Sequence, residues 1–191
     1  MTVFARQRAP RRALDRSAAR DEEREWISAA RRGDRTAFAR LYERFAPVVH
    51  SVLLARVAPP DAEDLVQEVF IVAWRKLDSL RDAAALGGWL CAIARNRAED
   101  LVHDRNRDAA MRRKMPRHGP RMDLNHETEV ALSAIRELPE PYREPLILRW
   151  VEGLSGPEIA ARTGLTEGSV RVNLHRGMAL LRARLAPEAG R

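Results

Sequence analysis

A single cysteine, Cys91, stands in the 191 residues, which excludes an internal disulfide and any zinc site built from several cysteines. It lies in an apolar helical context and reads as a small buried hydrophobe. Long hydrophobic runs are missing too: nothing approaches the roughly 18 consecutive apolar residues that cross a bilayer. The N-terminus carries arginines but no apolar stretch after them, so it does not read as a secretory signal. There is no alternating strand pattern and no internal repeat. A cytoplasmic protein with no membrane insertion is expected.

What the chain does have is apolar mass and charge. Hydrophobic residues make up 45% and charged residues 32%, enough to bury a core and stay in solution. The formal net charge is +7, and it is unevenly spread. Residues 1–20 hold six arginines against Asp15, and residues 105–126 hold seven basic residues against Asp108 and Asp123. The basicity therefore sits in an extension and a linker, where it would add salt-sensitive attraction to phosphate. Residues 127–152 have three basic and six acidic side chains, whereas 153–191 have six basic and three acidic. One end of this last part suits DNA and the other suits a protein.

Apolar spacing is helical throughout. A helix is expected around Arg24 to Arg32, ending at Gly33, and a second from about Asp34 with Phe38, Leu41, Tyr42 and Phe45 on one face. Pro47 is expected to open or kink a further helix running to about Val57. After Pro59 and Pro60, Asp61 is placed to cap a long helix from Ala62 to Leu77, and a loop from Asp78 to Ala84 leads to another helix from Leu86 to about Asp104. Polar residues with Pro116, Gly119 and Pro120 mark the linker. Helices near Glu129 to Glu137 and Tyr142 to Val151 follow, with Pro145 in the first turn of the second.

Two segments carry the functional signal. The first, GLSGPEIAARTGLTEGSVRVNLHRGMALLRARL, runs from Gly153 to Leu185 and reads as two helices joined by a tight turn. Gly164 supplies the left-handed residue that ends the first helix, and Thr166 is placed to cap the second. Val170, Leu174, Met178, Leu181 and Leu185 form one apolar stripe, so Ser169, Val172 and Arg176 fall opposite, flanked by Arg171 and His175. That is a helix-turn-helix layout, whose second helix enters a major groove. It does not by itself separate a repressor, an activator and a polymerase subunit.

The second segment is DAEDLVQEVFIVAWRKL, from Asp61 to Leu77. Leu65, Val69, Val72 and Leu77 make an apolar face, while Asp61, Glu63, Asp64, Gln67 and Glu68 gather on the early turns. Such carboxylates suit a helix N-terminus, a metal or acid–base site, or a docking surface for a basic partner. No histidine is near in sequence and no Glu-x-x-His pattern is present, which weighs against metal.

Three blocks in order, DAEDLVQEVFIVAW, WLCAIARNRAEDLV and LPEPYREPLILRWVEGLSGPEIAARTGLTEGSVRVNLHRG, resemble the sigma-70 family of RNA polymerase sigma factors, in its short extracytoplasmic-function (ECF, group IV) subfamily. The resemblance covers about Ala30 to Asp104 and Glu129 to Leu185. It implies an all-α protein with a sigma2-like helical bundle and a sigma4-like helix-turn-helix bundle joined by a flexible linker. The expected divisions are a basic disordered extension (1–20), the first domain (21–104), the basic linker (105–126), the second domain (127–186) and a tail (187–191).

The same resemblance implies a non-enzymatic initiation subunit without cofactor or metal. Asp64, Gln67 and Glu68 would dock on core RNA polymerase. Leu80, in the loop to Ala84, with Ile93 and Asn96 would frame a pocket for a flipped minus-ten base, with Arg95 and Arg97 at phosphates and Trp89 near the strand fork. Capturing such a base offsets a few kcal/mol of stacking and pairing. Ser169, Arg171, Val172, His175 and Arg176 would read the duplex minus-thirty-five element. An anti-sigma partner is implied as well. Gly87 and Gly88 stand where the family often has larger side chains, and Leu80 where an aromatic is frequent, which weakens stacking. Rival readings are an autonomous helix-turn-helix regulator and a Mg²⁺ nuclease using the Asp61 to Glu68 carboxylates.

Overall fold

The computed structural model describes residues 13–111 and 126–186. Residues 1–12, 112–125 and 187–191, which hold most of the basic extension, much of the linker and the tail, lie outside the described residues. Eight helices make up the described chain: α1 (Ala13–Arg31), α2 (Arg35–Leu54), α3 (Pro59–Lys76), α4 (Leu86–Met111), α5 (His126–Arg136), α6 (Glu140–Trp150), α7 (Gly156–Thr163) and α8 (Glu167–Leu185). The fold is all-α, as expected. The first four helices form one bundle and the last four another.

The break between α1 and α2 follows from two adjacent residues. Gly33 takes a φ of +93°, open to a residue without a Cβ, and Asp34 then caps α2 by accepting from the Thr36 and Ala37 N–H groups at 2.8 and 3.0 Å. Pro47 does not start a new helix as expected: α2 runs through it to Leu54. The proline removes one backbone donor, but Phe45, Val49, Val52 and Leu53 around it are buried, and that packing holds the helix together. Asp61 is not the cap of α3 either. Pro59 and Pro60 occupy the first helical positions, where a missing N–H costs nothing, so the helix begins before Asp61 is reached. The Asp61 carboxylate instead accepts two hydrogen bonds from the Arg105 guanidinium, both 2.6 Å, pinning the far part of α4 to the start of α3.

Helix α4 is longer than expected and continues through Met111, seven residues into the segment read as linker. The stretch from Leu77 to Ala85 contains two short 3₁₀ turns. Arg31 of α1 donates to the backbone oxygens of Leu77 and Leu80 there, fixing the loop from beneath. In the second bundle Pro145 lies inside α6 rather than in its first turn, which Pro141 occupies.

The two bundles meet along a seam that sequence spacing does not disclose. Helix α6 packs on α2 and α7 packs on α4, and one buried cluster runs through both halves. Glu144 of α6, with a side chain 7% exposed, accepts from Arg56 at 2.9 Å and from Arg95 at 2.7 Å. Ser51 donates to Glu152 at 2.6 Å, and the Arg162 guanidinium lies 5.4 Å from the centre of the Phe45 ring. A Cβ built on Gly88 would come within 2.8 Å of the Ala161 carbonyl oxygen, and one on Gly87 would meet the Arg162 guanidinium.

Candidate nucleic-acid interface

The helix-turn-helix is built as its sequence prescribes. Ser155 donates from its N–H and its hydroxyl to Glu158 at 2.9 and 2.6 Å, setting the entry to α7. Gly164 closes α7 in the left-handed conformation, φ +75°, with its N–H on the Ala160 carbonyl. Thr166 then caps α8, its Oγ1 accepting from the Ser169 N–H at 3.1 Å. Val170 and Leu181 are buried, and Leu174 and Met178 are half-buried, so the expected stripe faces inward through its first four members; Leu185 is exposed. Ser169, Arg171, Val172, His175 and Arg176 are all exposed.

Those five do not form one surface. Ser169, Val172 and Arg176 share the outward side, although the Ser169 hydroxyl also lies 2.9 Å from Thr166 Oγ1 and is part of the cap. Arg171 and His175 turn toward α6 and line an open cleft of about 690 Å³ with Leu146, Arg149 and Trp150. Gly177, which the sequence did not single out, is what allows this arrangement: its missing side chain lets α6 cross α8 against Tyr142 and Leu146. A glycine in the middle of an exposed-looking arginine helix was the available signal.

In the first bundle, Asp64, Gln67 and Glu68 are exposed on one side of α3 while Leu65, Val66, Val69 and Phe70 are buried on the other. Ile71 extends the exposed stripe by one turn and is 51% exposed, an apolar centre among carboxylates that spacing alone assigned to no face. Trp74 stands beside it, edge-on to Phe38 at 4.7 Å. The early carboxylates thus diverge: Asp61 is committed to Arg105, and Asp64 and Glu68 point to solvent.

The α4 residues separate onto two sides. Trp89 and Ile93 are half-buried against the core, Asn96 is exposed and Arg97 lies beside Asp100 at 3.4 Å. Leu80 is 5% exposed, so its side chain supports the loop from within instead of lining a surface. Arg95 turns away from Asn96 toward the seam, where it meets Glu144 and the Arg162 carbonyl oxygen, the latter at 3.4 Å. Cys91 is fully buried on that same side, and burial together with the Glu144 charge pushes its thiol up to about 12, so it is a neutral thiol. His50, also near the seam, is held below its ordinary pKa by burial, against the opposing pull of Glu63 and Glu152.

A helix-turn-helix bundle with an outward arginine-bearing helix, coupled to a second bundle with an acidic and apolar stripe, defines a two-part DNA-binding helical protein. Residues 41–108 match the family model for Sigma-70 region 2, and residues 128–181 match that for Sigma-70, region 4. The ECF RNA polymerase sigma-E factor of Escherichia coli (strain K12) is 30% identical over 177 residues, 84% of this chain and 93% of that protein. The ECF RNA polymerase sigma factor BldN of Streptomyces coelicolor is 31% identical over 182 residues, 87% of this chain and 67% of that protein.

Among solved structures, CnrH in complex with the cytosolic domain of CnrY superposes with a TM-score of 0.64 at 26% identity, covering 88% of this chain and 99% of that one. The sigma factor RpoE from Bartonella quintana, in complex with the anti-sigma factor NepR, shares the fold with a TM-score of 0.60 at 24% identity, covering 79% of this chain and 98% of that one. The chain belongs to the ECF group of the sigma-70 family and is an RNA polymerase sigma factor that directs transcription initiation. Such factors are initiation subunits that bind core polymerase and lack catalysis of their own. Among the described residues no helix is long and apolar enough to cross a membrane.

Proposed function

We propose that this sigma factor divides its work between the two bundles, acting in the cytoplasm. The Asp64, Gln67, Glu68 and Ile71 stripe of α3 docks on core polymerase. The outer side of α4, with Asn96, Ile93, Trp89 and Arg97, takes the unpaired minus-ten strand: the Asn96 amide offers both a donor and an acceptor to a base edge, and Arg97 offers charge to phosphate. Arg95 reaches phosphate as well when free of Glu144, and Leu80 shapes the loop behind the base. Helix α8 reads the minus-thirty-five duplex through Arg176 and Val172 on its outward side, with Ser169, Arg171 and His175 around them.

The observation that carries this reading is the exposure of every proposed α8 residue on a helix whose opposite side is locked by Val170, Gly177 and Leu181. An anti-sigma protein is the further partner, since CnrH is seen bound to the cytosolic domain of CnrY. The experiment is in vitro transcription with core polymerase on a promoter library, beside gel shifts of duplex promoter without polymerase. Promoter-selective starts that need both components support the division. Selective duplex binding of equal strength by the chain alone would replace it with an autonomous regulator.

A further inference from the structure

Arg31 closes α1, and a cation in the last turn of a helix ordinarily faces that helix's own carbonyl oxygens. Here those oxygens are already taken. The Ala29 oxygen accepts from the Arg32 and Asp34 N–H groups at 3.0 and 3.1 Å, and the Ala30 oxygen from Gly33 at 2.9 Å. The guanidinium therefore reaches across to another element: its Nε donates to the Leu77 carbonyl oxygen at 3.3 Å and its Nη2 to that of Leu80. Leu77 opens the 3₁₀ turn that follows α3 and Leu80 ends it, and carbonyls at such a helix end carry partial negative charge.

Between Leu80 and Leu86 the chain has little of its own to hold it. Arg81, Asp82, Ala84 and Ala85 are exposed and Ala83 is half-buried. The alanines offer one methyl each, and the Asp82 carboxylate, accepting from the Ala84 N–H at 2.9 Å, shapes only its own turn. Leu77 and Leu80 are buried and anchor the stretch through their side chains. Arg31 anchors the same two residues through their backbone. The Nε and Nη2 edge of a guanidinium presents two parallel donors in one plane, so it fixes the separation and the orientation of both carbonyls at once.

We propose that Arg31 is a positioning residue for minus-ten selectivity: without touching DNA, it sets the path on which the chain leaves Leu80, and so the wall that Leu80 to Ala84 offers to an unpaired base beside α4. The selectivity rests on the function proposed above; the bracing does not. A wall of alanines cannot grip a base by aromatic stacking, so its shape must come from the backbone, and the backbone is held at Leu77 and Leu80. Neither α8 nor the Asp64, Gln67 and Glu68 stripe belongs to this brace, so minus-thirty-five choice and core binding are independent of it.

The full chain is compared with Arg31→Met, which keeps the stem and the helix propensity but removes both donors, and with Arg31→Lys, which keeps the charge without the fork. Hydrogen exchange of residues 79–86 is followed in the free proteins by mass spectrometry, with α2 and α8 as internal references. Exchange in that stretch is expected to quicken about tenfold in Arg31→Met and less in Arg31→Lys, at unchanged rates in the references. Transcription with core polymerase is then measured on promoters carrying single changes at each minus-ten and minus-thirty-five position. Arg31→Met should lower the matched-to-mismatched ratio about fivefold at one minus-ten position, with Arg31→Lys intermediate and the minus-thirty-five ratios unchanged. A uniform loss across all promoters is what mere destabilisation gives, and it overturns the proposal. So does an unchanged exchange rate in Arg31→Met, or exchange that quickens while every ratio stays constant. A wild-type chain that makes no promoter-selective starts removes the function proposed above, and the exchange contrast then supports the bracing alone.

Discussion

Gly177 of α8 lies so close to Tyr142 of α6 that a Cβ added to it would sit 2.9 Å from the Tyr142 Cβ. The pairing sets how closely the recognition helix approaches its support, and therefore how far its outward side is presented. A Gly177→Val substitution should push the helices apart and destabilise the protein by about 2 kcal/mol, the usual cost of overpacking. Thermal unfolding followed by circular dichroism checks it; an unchanged midpoint would mean that α6 yields freely.

Arg176 stands exposed on the outward side of α8, and its side chain makes no ion pair or hydrogen bond with the described residues. Arg176→Ala should weaken discrimination at one minus-thirty-five base pair by roughly 1–3 kcal/mol, with core polymerase affinity unchanged. Competition transcription on matched and single-mismatch promoters measures the first quantity, and fluorescence anisotropy with core polymerase the second.

The converse holds for α3. Gln67→Ala combined with Glu68→Ala removes polar contacts from the exposed stripe without touching the buried one. Core affinity should fall by about tenfold, an order typical of a few interface contacts, while the ratio between matched and mismatched promoters at saturating factor stays constant. Equal loss of both would place α3 in DNA recognition.

His50 gives the fold a pH dependence of definite sign. Its folded pKa is depressed by burial below the usual 6.5, against Glu63 and Glu152, so the unfolded chain takes up the proton first on acidification. The stability that neutral His50 contributes is complete above that value and is lost as pH falls below it. In His50→Gln the decline of the melting midpoint between about pH 7 and pH 5 should be shallower than in the wild type.

Local chemistry was legible in the sequence and long-range chemistry was not. Gly33 with Asp34, and Gly164 with Thr166, act on their immediate neighbours, so their roles follow from order along the chain. The α8 faces follow from spacing in the same way. Pro47 starts no new helix because burial on both sides outweighs one absent hydrogen bond, and the role of Asp61 is hidden because its partner, Arg105, lies 44 residues away. The split between Asn96 and Arg95, adjacent in sequence, depends on Glu144, which belongs to the other bundle. Gly87 and Gly88 were visible as departures from a pattern, but what fills the space beside them was not.

The Asp61–Arg105 pair also fixes a point of departure. Beyond it α4 ends at Met111, and α5 begins at His126 after fourteen intervening residues. Covalent geometry alone limits that leash to about 50 Å end to end. The end of α4 and the start of α5 can never part beyond this reach, so the separation of two DNA segments that the two bundles could hold at once has an upper bound set by chain length and helix length, whatever their base sequence.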